Sequence, residues 1–267
     1  MASGETDWVS RGADTDRANS ARVHDYWLGG SHNFPADREA ARAISEIELA
    51  MPAIERANRA FLGRAVRFLA AAGIGQFLDV GSGIPTERNV HEVAQHADPA
   101  ARVAYVDVDP VAVAHGRAML AGDPGVAMVQ ADLRDPDKIL ADSQIQRLID
   151  FGQAAGLLLT GVLHFIAATD DPWRIVATLR DALAPGSYLV LGHATDAGRP
   201  RIQAVCNRSV ADRLHLRSRA GIFRFFEGFD LVDPGLVFVP LWRPESPADV
   251  PDDPVPFGTL VGVARRP

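Results

Sequence analysis

The sequence predicts an α/β protein. It has a doubly wound, mostly parallel seven-stranded sheet with an antiparallel last strand, preceded by an N-terminal helical extension. Three observations carry this reading. From Gln76 onward, short apolar runs alternate with segments of helical period, as strand–helix–strand crossovers require. The runs are apolar throughout, which suits strands covered on both faces. The last two runs have no helical pattern between them, so the chain returns without a crossover and its final strand runs antiparallel.

The elements follow in order. Residues 1–20 are polar and expected to fray. In residues 52–72, Ile54, Ala57, Phe61, Ala65, Phe68, Leu69 and Ala72 recur at three- and four-residue steps. That spacing makes an amphipathic helix, started by Pro52 and ended by Gly73 and Gly75. Strands are expected at Gln76–Val80, Arg102–Val106, Val126–Gln130, Gly156–Leu163, Ser187–Gly192, Leu231–Leu241 and Thr259–Ala264. Helices are expected at Asn89–Ala97, Val111–Leu120, Asp135–Ile149, Asp171–Leu183 and Arg201–Ser218. No linker divides the chain. Residues 1–75 read as a helical extension or lid packed on a core of residues 76–267.

Composition narrows the function. The 267 residues carry a net charge of −7, and only Lys138 among the 27 basic residues is a lysine. An acidic chain is a poor general binder of nucleic acid. A single cysteine, Cys206, excludes an internal disulfide and a multi-cysteine zinc site. No signal peptide and no bilayer-length apolar run is present, so a cytoplasmic protein with no membrane partner is expected.

In a parallel sheet, ligands bind at the carboxyl ends of the strands, so the residues just after each strand matter most. The first strand leads into Asp79-Val-Gly81-Ser82-Gly83-Ile-Pro85-Thr86. Its glycines allow a tight turn and close approach of a ligand to the backbone. A dinucleotide fingerprint would have a third glycine where Thr86 stands, behind Pro85, so the loop suits a nucleoside better than a pyrophosphate. The second strand ends at Asp107, where a carboxylate can take both hydroxyls of a ribose. Asp109, before Pro110, reads as a helix N-cap. After the third strand, Asp132 can accept from an exocyclic amine while the Leu133 amide meets a ring nitrogen. A nicotinamide-dependent oxidoreductase and a non-catalytic cofactor binder are the alternatives to a transferase on such a site.

The ordered strings FLDVGSG, YVDVD and VQADL, followed by an apolar fourth strand, resemble class I S-adenosylmethionine-dependent methyltransferases over residues 76–267. Over nearly the whole chain the sequence is similar to the narrower bacterial S-adenosyl methyltransferase family, once catalogued as a domain of unknown function. The strings that carry this are ARVHDYWLGGSHNFPADREAA, ANRAFLGRAVRFLA, GIGQFLDVGSGIPT, NVHEVAQ, VAYVDVDPVAVAH, VQADLRDP and LLLTGVLHFI. The resemblance implies S-adenosylmethionine as cofactor and S-adenosylhomocysteine as product. Asp79, Gly81 and Gly83, with Ser82 between the glycines, would border the methionine part. Asp107 would hold the ribose, Val108 would lie on the adenine, and Asp132 and Leu133 would hold its edge. Thr160 would lie near the sulfonium. The acceptor is expected to be a small molecule of unidentified class.

Direct displacement on a sulfonium needs mainly proximity and alignment, and a base only if the acceptor must lose a proton. His164, just after the fourth strand, is the first candidate for that base, and His193 is the second. Neither has metal-ligand spacing, so no metal is expected. Two N-terminal features complete the expectations. The segment Tyr26–Phe34, with Gly29-Gly30 among aromatics, is either a lid that brings Tyr26 to the cofactor or an element docked by its aromatics. Arg59 either reaches the cofactor carboxylate or lies on a solvated helix face. Phe223, Phe225, Phe226 and Phe229 are expected to pack in the core, with an acceptor-pocket cap as the alternative.

Overall fold

A computed structural model describes residues 14–85, 89–197 and 201–267. The expectations for the first 13 residues and for Thr86 lie outside the described residues. Three helices open the chain: α1 (Ser20–Trp27), α2 (Pro35–Ile47) and α3 (Met51–Ala71). Strands β1 (Gln76–Val80), β2 (Arg102–Asp107), β3 (Val126–Gln130), β4 (Gly156–Thr160) and β5 (Tyr188–Ala194) then alternate with α4 (Val90–Ala97), α5 (Pro110–Met119), α6 (Pro136–Ala141), α7 (Ser143–Leu148) and α8 (Pro172–Ala182). Helices α9 (Ile202–Ser209) and α10 (Arg219–Phe223) follow, then β6 (Asp230–Leu231), β7 (Val237–Phe238) and β8 (Thr259–Arg265).

The sheet order is β3-β2-β1-β4-β5-β8-β6, with β7 also paired to β8. Strands β1 to β5 are parallel, and β8 runs antiparallel to β5 from Tyr188↔Arg265 to Ala194↔Thr259. The order reverses between β1 and β4, which opens a crevice above their carboxyl ends.

Alternation along each strand divides the core between two faces. Leu78, Val80, Ala104 and Val106 pack with Ile139, Ile145, Ile175 and Leu179 on one side. Phe77, Val103 and Tyr105 pack with Phe61, Leu69, Val90 and Ala112 on the other. Trp242 is fully buried there, edge-on to Phe61 at 5.3 Å and to Phe68 at 5.9 Å. Each large apolar side chain buried this way stabilises the fold by about 1.5–3 kcal/mol. Among the described residues, no helix is long and apolar enough to cross a membrane.

Four expected elements differ, each for a local reason. The helix expected over Asp135–Ile149 breaks at Asp142, which leaves helical geometry and caps α7 by accepting from the Gln144 and Ile145 amides. The fourth strand stops at Thr160 because Gly161 turns with φ +78°, and Leu163–Phe165 forms a single 3-10 turn. The helix starting near Arg201 ends at Ser209, where Val210 takes extended geometry and Ala211 N–H, at a bend, is taken by Ala18 O at 3.0 Å. The expected strand Leu231–Leu241 is cut by Pro234 and Gly235 into β6 and β7, so the sheet has eight strands and not seven. Phe225, Phe226 and Phe229 are core residues, whereas Phe223 is exposed.

Candidate functional site

A cavity of about 600 Å³ lies above the carboxyl ends of β1, β2 and β4 and under the N-terminal helices. Its wall includes Arg59, Asp79, Gly81, Ser82, Gly83, Asp107, Val108, Asp132, Leu133, Thr160 and His164. The structure therefore gathers eleven of the twelve residues expected at the site.

Tyr26 is the exception and a correction. It packs beside Val23, Ala40 and Ala41, with Arg42 above its ring at 5.9 Å. Its helix neighbours His24 and Trp27 line the cavity instead. The Gly29-Gly30 bend also faces away from the cavity and wraps Asp25. A Cβ on Gly30 would sit 2.0 Å from the Asp25 carboxylate. That carboxylate accepts from His32 N–H at 2.9 Å and Asn33 Nδ2 at 2.8 Å, so the glycine pair makes a structural turn.

The glycine loop is fixed from two sides. Gly81 and Gly83 have φ +75° and +68°, a region where side chains are strained. A Cβ on Gly81 would lie 2.3 Å from Val162 Cγ2. Gly81→Ala is therefore expected to destabilise the protein by about 2–4 kcal/mol, from left-handed strain plus overpacking. Urea unfolding would measure this, and adding Val162→Ala should leave most of the loss in place, because the Val162 Cβ itself would lie 2.4 Å from the new methyl group.

Asp107 holds the loop from the other side. Its Oδ2 accepts from Gly83 N–H at 2.7 Å and its Oδ1 from Asp109 N–H at 2.9 Å. Burial raises the Asp107 carboxyl to about 6, against the lowering effect of those two amides. Burial raises Asp79 further, to about 7; the Arg59 guanidinium opposes this and the Asp107 charge adds to it. Asp79 is 3% exposed and accepts no hydrogen bond from the described residues. A buried carboxylate in a cavity wall without a donor suits a ligand that brings a cationic donor. Asp132 differs from expectation in its company: the Arg134 side chain and backbone amide already hold its carboxylate.

The opposite wall carries Glu55 and His24, which the sequence did not single out, beside Asn58, the neighbour of Arg59. Glu55 Oε2 accepts from His24 Nε2 at 3.0 Å and from Asn58 Nδ2 at 2.9 Å. Burial would raise Glu55, but the charges and hydrogen bonds of His24, Asn58 and His164 hold it below its ordinary value. A signal was present: Glu55, Asn58 and Arg59 are polar residues in register with the apolar stripe of α3. Asp212 closes the rim by accepting from Ser20 N–H at 2.8 Å and Asn19 Nδ2 at 3.1 Å.

His193 does not line the cavity. It is fully buried, with Nε2 2.7 Å from Arg217 Nη1, and burial pushes its pKa well down. Arg217 in turn donates to Leu163 O at 2.9 Å and Ile166 O at 2.6 Å, so the pair braces the turn that carries His164. Among the described residues, no group of three or more metal-ligating side chains occurs.

A doubly wound sheet with a reversed last strand and buried carboxylates ending β1 and β2 defines the class I S-adenosylmethionine-dependent methyltransferases. Within that class, the chain belongs to the S-adenosyl methyltransferase family, whose profile matches residues 6–267. The family's methyl donor is S-adenosylmethionine and its demethylated product is S-adenosylhomocysteine. The crystal structure of a candidate methyltransferase from Thermobifida fusca YX is 41% identical, covers 98% of this chain and 99% of its own, and superposes with a TM-score of 0.91. A DUF574 family protein from Streptomyces avermitilis is 38% identical over 95% of this chain and 99% of its own, also at 0.91. An O-methyltransferase family protein from Burkholderia thailandensis shares the fold alone, at 13% identity, with a TM-score of 0.51 over 91% of this chain and 63% of its own. Among curated proteins, none matches the chain.

Proposed function

We propose that this protein transfers a methyl group from S-adenosylmethionine directly to a small-molecule acceptor in the cytoplasm. The observation that carries the reading is a cavity with two unlike walls. One wall presents Asp79, the glycine loop and Asp107, and the other presents apolar side chains around Glu55. When bound, the donor supplies a methyl group on a sulfonium, an electrophile that a lone pair displaces.

The chain's own residues would do the rest. Asp79 meets the ammonium end and Arg59 the carboxylate end of the donor. Asp107 keeps its two backbone amides and offers its remaining lone pairs to the ribose hydroxyls. Val108 and Leu133 flank the base, with Asp132 at its edge shared with Arg134. Thr160 and Gly161 end β4 beside the reacting centre. Residues up to 75 act as an extension that closes the site on the core of residues 76–267 and excludes water. The cavity's volume of about 600 Å³ and the net charge of −7 favour a small acceptor over nucleic acid.

Calorimetric titration with S-adenosylhomocysteine tests this reading. Micromolar affinity, about 8 kcal/mol, is expected for the native protein. A loss of tenfold or more is expected for Asp107→Asn, which removes the charge and, because an amide NH2 cannot accept, also gives up one of the two backbone N–H bonds at this position. No heat at millimolar ligand overturns the reading.

A further inference from the structure

We propose that His24, oriented by Glu55, is the proton acceptor of this reaction, and that the chamber around it takes an apolar molecule bearing an acidic hydroxyl of phenol or enol type. The inference rests on the donor site proposed above and extends it to the acceptor.

The two histidines at the cavity differ in how their rings are held. His164 Nδ1 accepts from the Ala194 backbone N–H at 3.3 Å. A backbone N–H can only donate, so a neutral His164 carries its proton on Nε2 and presents a donor there. It cannot take a proton at Nε2 while keeping that bond. His24 is held the other way. Its Nε2 lies 3.0 Å from the Glu55 carboxylate, so the neutral ring donates from Nε2 and has its lone pair on Nδ1. Nδ1 has no partner among the described residues. The His24 side chain is 41% exposed and lines the cavity. A base oriented by a buried carboxylate is the arrangement general-base catalysis requires.

Glu55 is suited to the orienting role. Asn58 donates to the same oxygen that His24 uses, and the two donors together favour the charged carboxylate. The carboxylate therefore stays ionised and can stabilise an imidazolium on His24.

The chamber's composition points to the acceptor. Trp27, Ile44, Met51, Ile54, Ile202 and Val210 form its wall, which suits a flat apolar body. The Glu55 carboxylate already has two donors, and the methyl donor brings a positive charge of its own, so a second buried cation is disfavoured. A neutral hydroxyl enters without a charge penalty. Its proton passes to His24 Nδ1, giving an imidazolium held by Glu55. The O–H electron pair stays on the oxygen, which forms the new bond to the methyl carbon. The C–S electron pair returns to sulfur, so an ether and a neutral thioether leave with one proton on the enzyme.

The test uses 4-nitrophenol, which is coloured only when deprotonated, added to the full-length protein saturated with S-adenosylhomocysteine. The buffer is set below the phenol's own pKa. Saturable binding with a strong phenolate band is expected for the native protein. Glu55→Gln and His24→Gln should lower the bound phenolate fraction by tenfold or more while binding S-adenosylhomocysteine within threefold of native. His24→Gln alters a half-exposed side chain, so it keeps the test decisive if Glu55→Gln fails to fold. His164→Gln should keep the band. If His164→Gln removes the band and His24→Gln does not, the assignment is overturned. Tighter binding of 4-nitrobenzylamine than of 4-nitrophenol, or no saturable phenol binding by a protein that binds S-adenosylhomocysteine, overturns the acceptor class. If S-adenosylhomocysteine itself does not bind, it is the donor reading that fails.

Discussion

Asp79→Asn is expected to make the ligand-free protein more stable at pH 8 while removing most of its affinity for the methyl donor. Burial raises the folded-state Asp79 carboxyl from 3.8 to about 7. A raised carboxyl binds its proton more tightly folded than unfolded. Its ionisation therefore costs the folded state progressively from about pH 4 to pH 7, and the full cost remains above that. The span corresponds to as much as about 4 kcal/mol. Asparagine carries no such charge. Urea midpoints of variant and native protein should coincide near pH 4 and separate in the variant's favour at pH 8. Part of the gain is offset at Arg59, whose buried charge loses the support of the Asp79 carboxylate. Product affinity should fall roughly a hundredfold, as for a lost charge-assisted hydrogen bond in a buried site. In the native protein that affinity should rise with pH through 7, because only the ionised carboxylate attracts an ammonium. A midpoint difference that is the same at both pH values would show that Asp79 carries no such proton linkage.

Arg22→Leu is expected to be the most destabilising single change outside the hydrophobic core. Arg22 is 4% exposed, with Nε 3.6 Å from Asp37 Oδ1 and 3.5 Å from Asp109 Oδ2. Its guanidinium also donates to the Asp14 and Arg17 carbonyls. Burial already raises both carboxyls, and Asp37 raises Asp109 further. Removing the cation leaves two buried like charges facing each other. Loss of one partner from a buried ion pair costs about 3–5 kcal/mol. For a chain of this size that lowers Tm by roughly 10 °C. The effect should reach the donor site, because Asp109 caps α5 through Val111 N–H and its own N–H holds Asp107. Adding Asp37→Asn should recover part of the loss. A Tm within two degrees of native would show that the cluster contributes little.

The sheet and the cavity wall at the strand ends were legible because their signals are local. Asp79 and Asp107 each sit at the end of an apolar run, and strand ends of a parallel sheet converge on one crevice whatever the loops do. The opposite wall was not legible because it is made by contacts between distant segments. Asp212 meets Ser20, and the bend after α9 hydrogen-bonds to Ala18. Neither segment carries a pattern that names its partner. Tyr26 shows a finer limit. The segment was recognised as informative, but adjacent residues on a helix point about 100° apart. Trp27 thus turns into the cavity while Tyr26 turns onto α2. Glu55 left only a weak signal, its register with the apolar stripe of α3, and packing partners are needed to distinguish a polar residue facing water from one facing a cavity.

The place of β8 has a consequence for how the molecule is made. β8 is the last strand in the chain, yet it lies inside the sheet, between β5 and β6. While residues 195–258 are being synthesised, β5 is complete but its outer edge has nothing to bind. That edge is a row of unpaired N–H and C=O groups on an apolar strand, a template for any extended segment nearby. Topology therefore gives the nascent protein one exposed interval, and it closes only when Thr259–Arg265 has left the ribosome.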